Sequence, residues 1–367
     1  FLKSKHKYFV INGIFGCGKT TLLVGMLLNS IFTGKYKLDE IIFISFNVCI
    51  KNEIKQKLRK YGIKNKVKVR TFDSLVYEIC KKYDYPYMDL PNFDGKRRFI
   101  YSLIEDKKAK PLDYQPKVLF IDEIQDLEKQ TLRVFSYFWP NTIIVFAGDI
   151  FQSIQKEPRE SLLWDLLYND NYSSIKRIYM KETPRVPTYI LNIIKNTLKK
   201  YYPEFKNQIE DWKSLNNHVP EQEISIEWKQ FNSYSEIYKK SEDHINEFGQ
   251  SNTMILTFSS AITVKGAMGD VSRLRNHLVS NGYNVNNNYK QMTENKLFLS
   301  TVNSSKGLER DYVVIFLTFP LELAFINFSE DLTMNLITVG ITRAKKKVIF
   351  YVPSYKDKFS KVLNFWN

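Results

Sequence analysis

Residues 13–21 read Gly-Ile-Phe-Gly-Cys-Gly-Lys-Thr-Thr. Gly13, Gly18, Lys19 and Thr20 fit the spacing G-x-x-x-x-G-K-[ST]. The chemistry this spacing serves is phosphate capture. Glycines let the backbone curl tightly and turn its N–H groups inward at phosphate oxygens. A helix starting at the loop adds partial positive charge. Lys19 can reach the β- and γ-phosphates of a nucleotide, and the Thr20 hydroxyl can hold Mg²⁺. The candidate nucleotide set is Gly13, Gly16, Cys17, Gly18, Lys19, Thr20 and Thr21. The alternative is a chance match, and the flanks argue against it. Tyr8–Ile11 forms a short apolar strand before the loop, and Leu22–Leu28 can open a helix after it.

Val118–Ile121 is an apolar strand that runs into Asp122 and Glu123. A phosphoryl-transfer site needs such carboxylates opposite its phosphate loop. Asp122 can hold Mg²⁺, and Glu123 can orient or deprotonate the attacking water. The bland reading is two surface acids at a strand end. Ile143–Ala147 leads to Gly148-Asp149 and then Gln152, whose amide can approach a γ-phosphate. Arg185 and Arg343 lie in the second half of the chain. Such guanidinium groups stabilise charge developing on the γ-phosphoryl oxygens, contributing roughly 10³–10⁵ in rate. Without further context each could equally be a surface salt bridge.

Alternating strands and helices must position these groups. Apolar β-rich runs fall at Glu40–Ser45, Val67–Thr71, Val118–Ile121, Thr142–Ala147, Ile224–Trp228, Met254–Phe258, Leu297–Thr301, Val313–Leu317 and Val348–Val352. Continuous apolar strands separated by helices predict parallel sheets covered on both faces. Two sheets are expected, one on each side of about residue 178, with Thr183–Pro187 as the joint. Tyr201–Glu223 reads as a helix plus loop, and Asn284–Asn288 as a turn.

The 367 residues suffice for two domains with real cores. The hydrophobic fraction is 44% and the charged fraction 25%, both ordinary for a globular protein. No apolar run is long enough to span a bilayer, so no membrane role is expected. Cys17, Cys49 and Cys80 show neither metal spacing nor a paired framework, which fits a reducing compartment such as cytoplasm or nucleus. The net charge of +15 implies a polyanionic partner, most simply nucleic acid; a Lys-rich solvated surface is the alternative.

Taken together, these segments resemble the superfamily 1 DNA helicases of the UvrD/Rep/PcrA type. The P-loop at 13–21 looks like motif I. Ser45-Phe46-Asn47, followed by Glu53-Ile54-Lys55, is similar to motif Ia. Thr71–Leu75 looks like the family's TFHSL, with Asp73 in place of His. Residues 122–126, DEIQD, resemble motif II, and 148–154, GDIFQSI, resemble motif III. Pro184-Arg185 falls where motif IV has Tyr-Arg. Thr301–Glu309 looks like motif V, and Val339–Ala344 like motif VI.

The resemblance implies a fold and a set of roles. The fold would be α/β, two RecA-like P-loop NTPase domains with parallel sheets flanked by helices. These would cover 1–178, with a reduced insertion at about 78–116, and 179–367, with the second insertion subdomain absent. ATP and Mg²⁺ would be the cofactors, with hydrolysis in a cleft between the domains. Lys19 and Thr20 would bind phosphate and metal, Asp122 the metal, and Glu123 would be the base. Gln152 would sense the γ-phosphate, Arg185 and Arg343 would reach it, and Glu309 would contact the sugar. Phe46, Asn47, Thr71, Phe72, Thr301 and Asn303 match positions beside the nucleic acid, although core packing is an equal reading for both phenylalanines. The expected activity is translocation or unwinding on single-stranded DNA, 3′ to 5′, alongside replication or repair proteins.

Departures from the family qualify this. The adenine-reading glutamine motif is not visible upstream, and with the start at Phe1 this gives the expectation of a fragment. Pro184 replaces the adenine-stacking tyrosine, which opens the choice of nucleotide. The family's base-stacking aromatic pair after motif III becomes Gln155 and Glu157; such stacks contribute roughly 1–3 kcal/mol each. With little room for insertion subdomains, the chain is expected to translocate better than it unwinds. Two other readings stay open: a superfamily 1 RNA helicase, and an NTP-binding regulatory module that does not move along a strand.

Overall fold

The computed structural model describes residues 6–46, 48–63, 67–84, 93–109, 112, 114–154, 158–169, 174–216, 224–257, 270–286, 295–317 and 330–353. The chain divides into two compact units. One comprises Phe1–Gly13 and Gly18–Met180; the other comprises Ile14–Cys17 and Lys181–Asn367.

In the first unit, strands β1 (Tyr8–Gly13), β2 (Ile41–Ser45), β3 (Lys68–Thr71), β4 (Val118–Ile121), β5 (Ile143–Gly148) and β6 (Lys176–Met180) form one sheet in the order β3-β2-β4-β5-β1-β6. Every neighbouring pair is parallel. Helices α1 (Lys19–Phe32), α2 (Val48–Lys60), α3 (Phe72–Lys82), α4 (Phe93–Glu105), α5 (Thr131–Phe138) and α6 (Leu162–Tyr168) connect and cover it. All of β2 and β4 is buried, which is why their sequences are unbroken apolar runs. The core joins Phe9, Ile11, Leu23, Leu27, Phe43, Ile54, Phe120 and Val145. Leu23 and Leu27 lie one helical turn apart, so α1 turns one apolar face inward. α4 packs on α3 and α5 and is tied to them by two contacts. The Arg97 guanidinium lies 2.8 Å from the Asp73 carboxylate, and the Tyr101 and Thr131 hydroxyls are 3.0 Å apart.

The second unit begins with a parallel pair, β7 (Glu182–Pro187) and β8 (Lys213–Asn216), joined through α7 (Thr188–Tyr201) and α8 (Lys206–Glu210). Its main sheet contains β9 (Ser225–Phe231), β10 (Thr253–Thr257), β11 (Phe298–Thr301), β12 (Arg310–Phe316) and β13 (Ala344–Pro353). The order is β11-β10-β12-β13-β9, again parallel throughout. α9 (Tyr234–Phe248), α10 (Asp270–Ser280) and α11 (Glu330–Ile341) complete it. Ile255, Leu274, Leu278, Val314 and Ile349 centre its core.

The expected α/β class with parallel, helix-flanked sheets is what forms. Three strands were not anticipated. β6 is an edge strand whose Lys176 and Tyr179 are exposed, so it lacks a continuous apolar run. It also carries the first sheet past residue 178. The stretch expected to be a bare joint lies in β7, where Pro184 and Pro187 are accommodated in a two-stranded sheet. The segment expected to be helix plus loop contains α8 and also β8. Phe258, Asn287, Asn288 and Glu223 lie outside the described residues. Among the described residues no helix is long and apolar enough to cross a membrane.

Candidate functional site

Three adjacent strands, β4, β5 and β1, end on the same side of the first sheet. In parallel sheets this carboxyl end is where ligands bind. β1 delivers Gly13 and the loop that follows. Gly16 and Gly18 take φ of 69° and 93°, in the left-handed region that a side chain disfavours. Gly18 caps α1, so Lys19 and Thr20 form its first turn. The buried Lys19 Nζ donates to the Gly13 carbonyl at 2.8 Å and lies 3.9 Å from Asp149 Oδ2.

β4 delivers the acidic pair. Thr20 Oγ1 donates to Asp122 Oδ2 at 2.5 Å, and the Glu123 amide donates to Asp122 Oδ1 at 3.0 Å. Glu123 has φ 59°, in the left-handed region that is uncommon for a non-glycine residue. Gln125 Nε2 donates to Glu123 Oε2. β5 delivers Gly148 and Asp149. Asp149 accepts from Gln152 Nε2 at 2.7 Å and from the Phe151 amide at 3.1 Å. So Lys19, Thr20, Asp122, Glu123 and Gln152 are linked through Asp149 and Gln125.

The electrostatics follow from burial. Asp122 is 1% exposed, and desolvation, reinforced by the Glu123 charge, pushes its carboxyl up to about 7. Desolvation raises Asp149 as well, opposed chiefly by Lys19. Three buried carboxylates thus face one ammonium. A threonine hydroxyl and one carboxylate are hard oxygen donors suited to Mg²⁺, which takes its other ligands from water and phosphate. Among the described residues no group of three or more His, Cys, Asp or Glu side chains forms a metal cage. The Thr20 hydroxyl and the Asp122 carboxylate are an oxygen pair of the kind Mg²⁺ accepts.

The remaining predicted residues fall in two groups. In the first unit, Thr71 caps α3, its Oγ1 accepting from the Ser74 amide at 3.2 Å. Phe72 is 1% exposed, edge-on to Phe135 at 5.8 Å, so it serves the core. Phe46 is half-buried, with the Arg97 guanidinium 5.7 Å over its ring. Asn47, Gln155 and Glu157 lie outside the described residues.

In the second unit, Glu309 lies between two cations: Arg185 Nε at 3.6 Å and Lys345 Nζ at 2.8 Å. Asn216 Nδ2 holds the Arg185 carbonyl at 2.8 Å, tying it to β8. Thr301 Oγ1 accepts from the Ser304 amide at 3.2 Å. Asn303 Oδ1 is buried and has no hydrogen-bond partner among the described residues. Arg343 is 1% exposed. Its Nε donates to the Val339 carbonyl (3.0 Å), one terminal nitrogen to the Leu308 carbonyl (3.4 Å) and the other to Thr342 Oγ1 (2.9 Å). The Arg343 guanidinium is thus held by two carbonyls and one hydroxyl of its own unit.

Sequence reasoning assigned no role to Gln125 or Asp149. Both stand inside the motifs quoted above, but only the coordinates join them across two strands.

A family model described as "AAA domain" matches residues 1–158, less than half of the chain. No curated protein matches. Among solved structures, arterivirus nonstructural protein 10, a helicase, aligns at 12% identity with a TM-score of 0.44, covering 97% of this chain and 61% of that one. The same arterivirus protein in complex with DNA aligns at 12% identity and a TM-score of 0.45, covering 98% and 62%. The chain therefore spans less than two thirds of the length of those proteins.

Proposed function

We propose that this chain is a nucleic-acid-dependent ATPase that moves along a single strand, DNA in preference to RNA, in the 3′-to-5′ direction. The observation that carries the reading is the convergence of Lys19, Thr20, Asp122, Glu123 and Gln152 at the ends of three neighbouring strands. A protein that only bound phosphate would need the first two. The carboxylates and the glutamine are what hydrolysis adds.

In this reading Gly13–Thr21 cradles the phosphates, and Lys19 leaves the Gly13 carbonyl for the β- and γ-oxygens. Thr20 and Asp122 would hold Mg²⁺, which supplies charge neutralisation between the phosphates. Glu123 orients the attacking water and takes its proton. Gln152, aligned by Asp149, reports on the γ-phosphate. Arg185 and Arg343 are assigned to the developing charge and Glu309 to the sugar. Asn303, with an open acceptor, and Phe46 are assigned to the strand. The polarity, the preference for DNA and the helicase class rest on the motif resemblance and on the basic composition.

The test is ATP hydrolysis without polymer, with single-stranded DNA and with RNA, each at two salt concentrations. DNA should stimulate most, and higher salt should weaken its binding steeply. Stimulation by RNA alone would move the assignment to an RNA helicase. Turnover indifferent to both polymers would favour a regulatory NTP-binding module, the reading to which the buried, satisfied Arg343 lends weight.

A further inference from the structure

Gln125 is 0% exposed, and its side chain is used at both ends. Nε2 donates to Glu123 Oε2, while Oε1 accepts from the Asp149 amide at 3.1 Å. Its backbone carbonyl accepts from Ser153 Oγ at 3.0 Å. One residue on the β4 side therefore grips the β5 turn before and after Gln152.

The chemistry permits only this arrangement. A flipped amide would set Oε1 against a carboxylate and Nε2 against an N–H donor. Asparagine is one methylene shorter, and an ionised glutamate cannot donate. The neighbouring strand is cut to suit. A Cβ at Gly148 would stand 2.6 Å from Gln125 Oε1 and 2.9 Å from Leu163 Cδ2. Any side chain at 148 pushes the amide out of its place.

We propose that Gln125, admitted by Gly148, is a positioning residue that locks the Glu123 carboxylate to the Asp149–Ser153 turn, so that the water-activating carboxylate and the γ-phosphate-sensing amide move as one body. This deepens the reading of Glu123 and Gln152 given above and rests on it. Glu123 sits on a left-handed backbone beside Asp122, and the Gln125 donor holds its carboxylate toward the Asp149–Ser153 turn. The same amide fixes the start of the turn that carries Gln152. A signal at the γ-phosphate therefore reaches the base through three hydrogen bonds, Gln152 to Asp149, Asp149 to Gln125 and Gln125 to Glu123.

The experiment compares wild type, Gln125→Ala, Gln125→Glu, Gly148→Ala and the double variant Gln125→Ala/Gly148→Ala in steady-state ATP hydrolysis across pH 5.5–9, with Kd for a fluorescent ATP analogue and Tm recorded for each. Loss of alignment at this scale costs about 10²-fold in rate. Gln125→Ala should lose about that factor in kcat, with KM and Kd within about threefold. Gly148→Ala should do the same. The double variant should be no slower than the slower single variant, because both changes break one contact. Gln125→Glu keeps the shape of the site. It should approach wild type at low pH, where the new carboxyl retains a proton to donate, and fall progressively behind as pH rises. Independent, multiplying losses, or a Gln125→Glu variant whose rate relative to wild type does not change with pH, would overturn the proposal. Should Gln125→Ala fail to fold, the pH trend of Gln125→Glu decides alone. Glu123→Gln, run alongside, separates the two layers: wild-type turnover there defeats the assignment of Glu123 itself, whatever the Gln125 variants do.

Discussion

Thr20 Oγ1 and Asp122 Oδ2 are 2.5 Å apart, joining the first turn of α1 to the end of β4. The hydroxyl donates to a carboxylate that burial has made reluctant to ionise. A divalent cation with its phosphates would draw both oxygens, replacing a hydrogen bond with two ligands.

That carboxylate should leave a mark on stability. Asp122 holds its proton up to about 7 in the folded protein, against about 4 in an unfolded chain. Between those values the folded state binds the extra proton, so stability falls as pH rises through that window. Thermal melts of nucleotide-free protein should show Asp122→Asn near wild type at pH 5 and more stable than wild type at pH 8. Added Mg²⁺ and ADP should raise wild-type Tm more at pH 8 than at pH 6. A constant offset between the two proteins at every pH would contradict this.

The two arginines of the second unit should part company on substitution. Arg343 satisfies the Val339 and Leu308 carbonyls from a buried position, and hydrogen bonds to charged groups contribute about 1.5–3 kcal/mol each. Arg343→Ala should therefore lower Tm by several degrees as well as slow turnover. Arg185 is partly exposed, and its partner Glu309 keeps Lys345. Arg185→Ala should slow turnover with Tm nearly unchanged. Urea melts paired with kinetics read both. Equal loss of stability in the two variants would be inconsistent with these environments.

Phe46 and Phe72 should also separate. Removing the buried Phe72 ring leaves a cavity and should cost about 3–5 kcal/mol of stability. Phe46→Ala should leave stability close to wild type and weaken single-strand binding by about 1–3 kcal/mol, the worth of one stacked base. Fluorescence anisotropy with a labelled oligonucleotide measures the second effect. Unchanged affinity would remove Phe46 from the strand site.

The strands that carry the site were legible because they are buried on both faces. Phe120 and Phe43 stack at 6.2 Å across β4 and β2, and such positions admit only apolar residues. Legibility failed where burial stopped. β6 exposes Lys176 and Tyr179 at the sheet edge, and β7 carries prolines that read as breaks. The loop and acidic pair were legible because their spacing is set by phosphate chemistry. The Gln125 contacts to Asp149 and Ser153 were not, because they join residues 24 and 28 apart in the chain. The hydrogen bond from Arg343 to the Leu308 carbonyl was likewise not legible, because the two residues stand 35 apart in the chain.

The hydrolysis of ATP proposed for the cluster at the ends of β1, β4 and β5 is open to direct measurement. The most direct measurement compares ATP binding with ATP turnover in Lys19→Ala and Glu123→Gln, both saturated with single-stranded DNA. Lys19→Ala should lose binding and turnover together. Glu123→Gln should bind ATP as wild type does and turn over at least about 10²-fold more slowly, the scale expected for a lost general base. Wild-type turnover in Glu123→Gln, or undiminished ATP affinity in Lys19→Ala, would contradict the proposal.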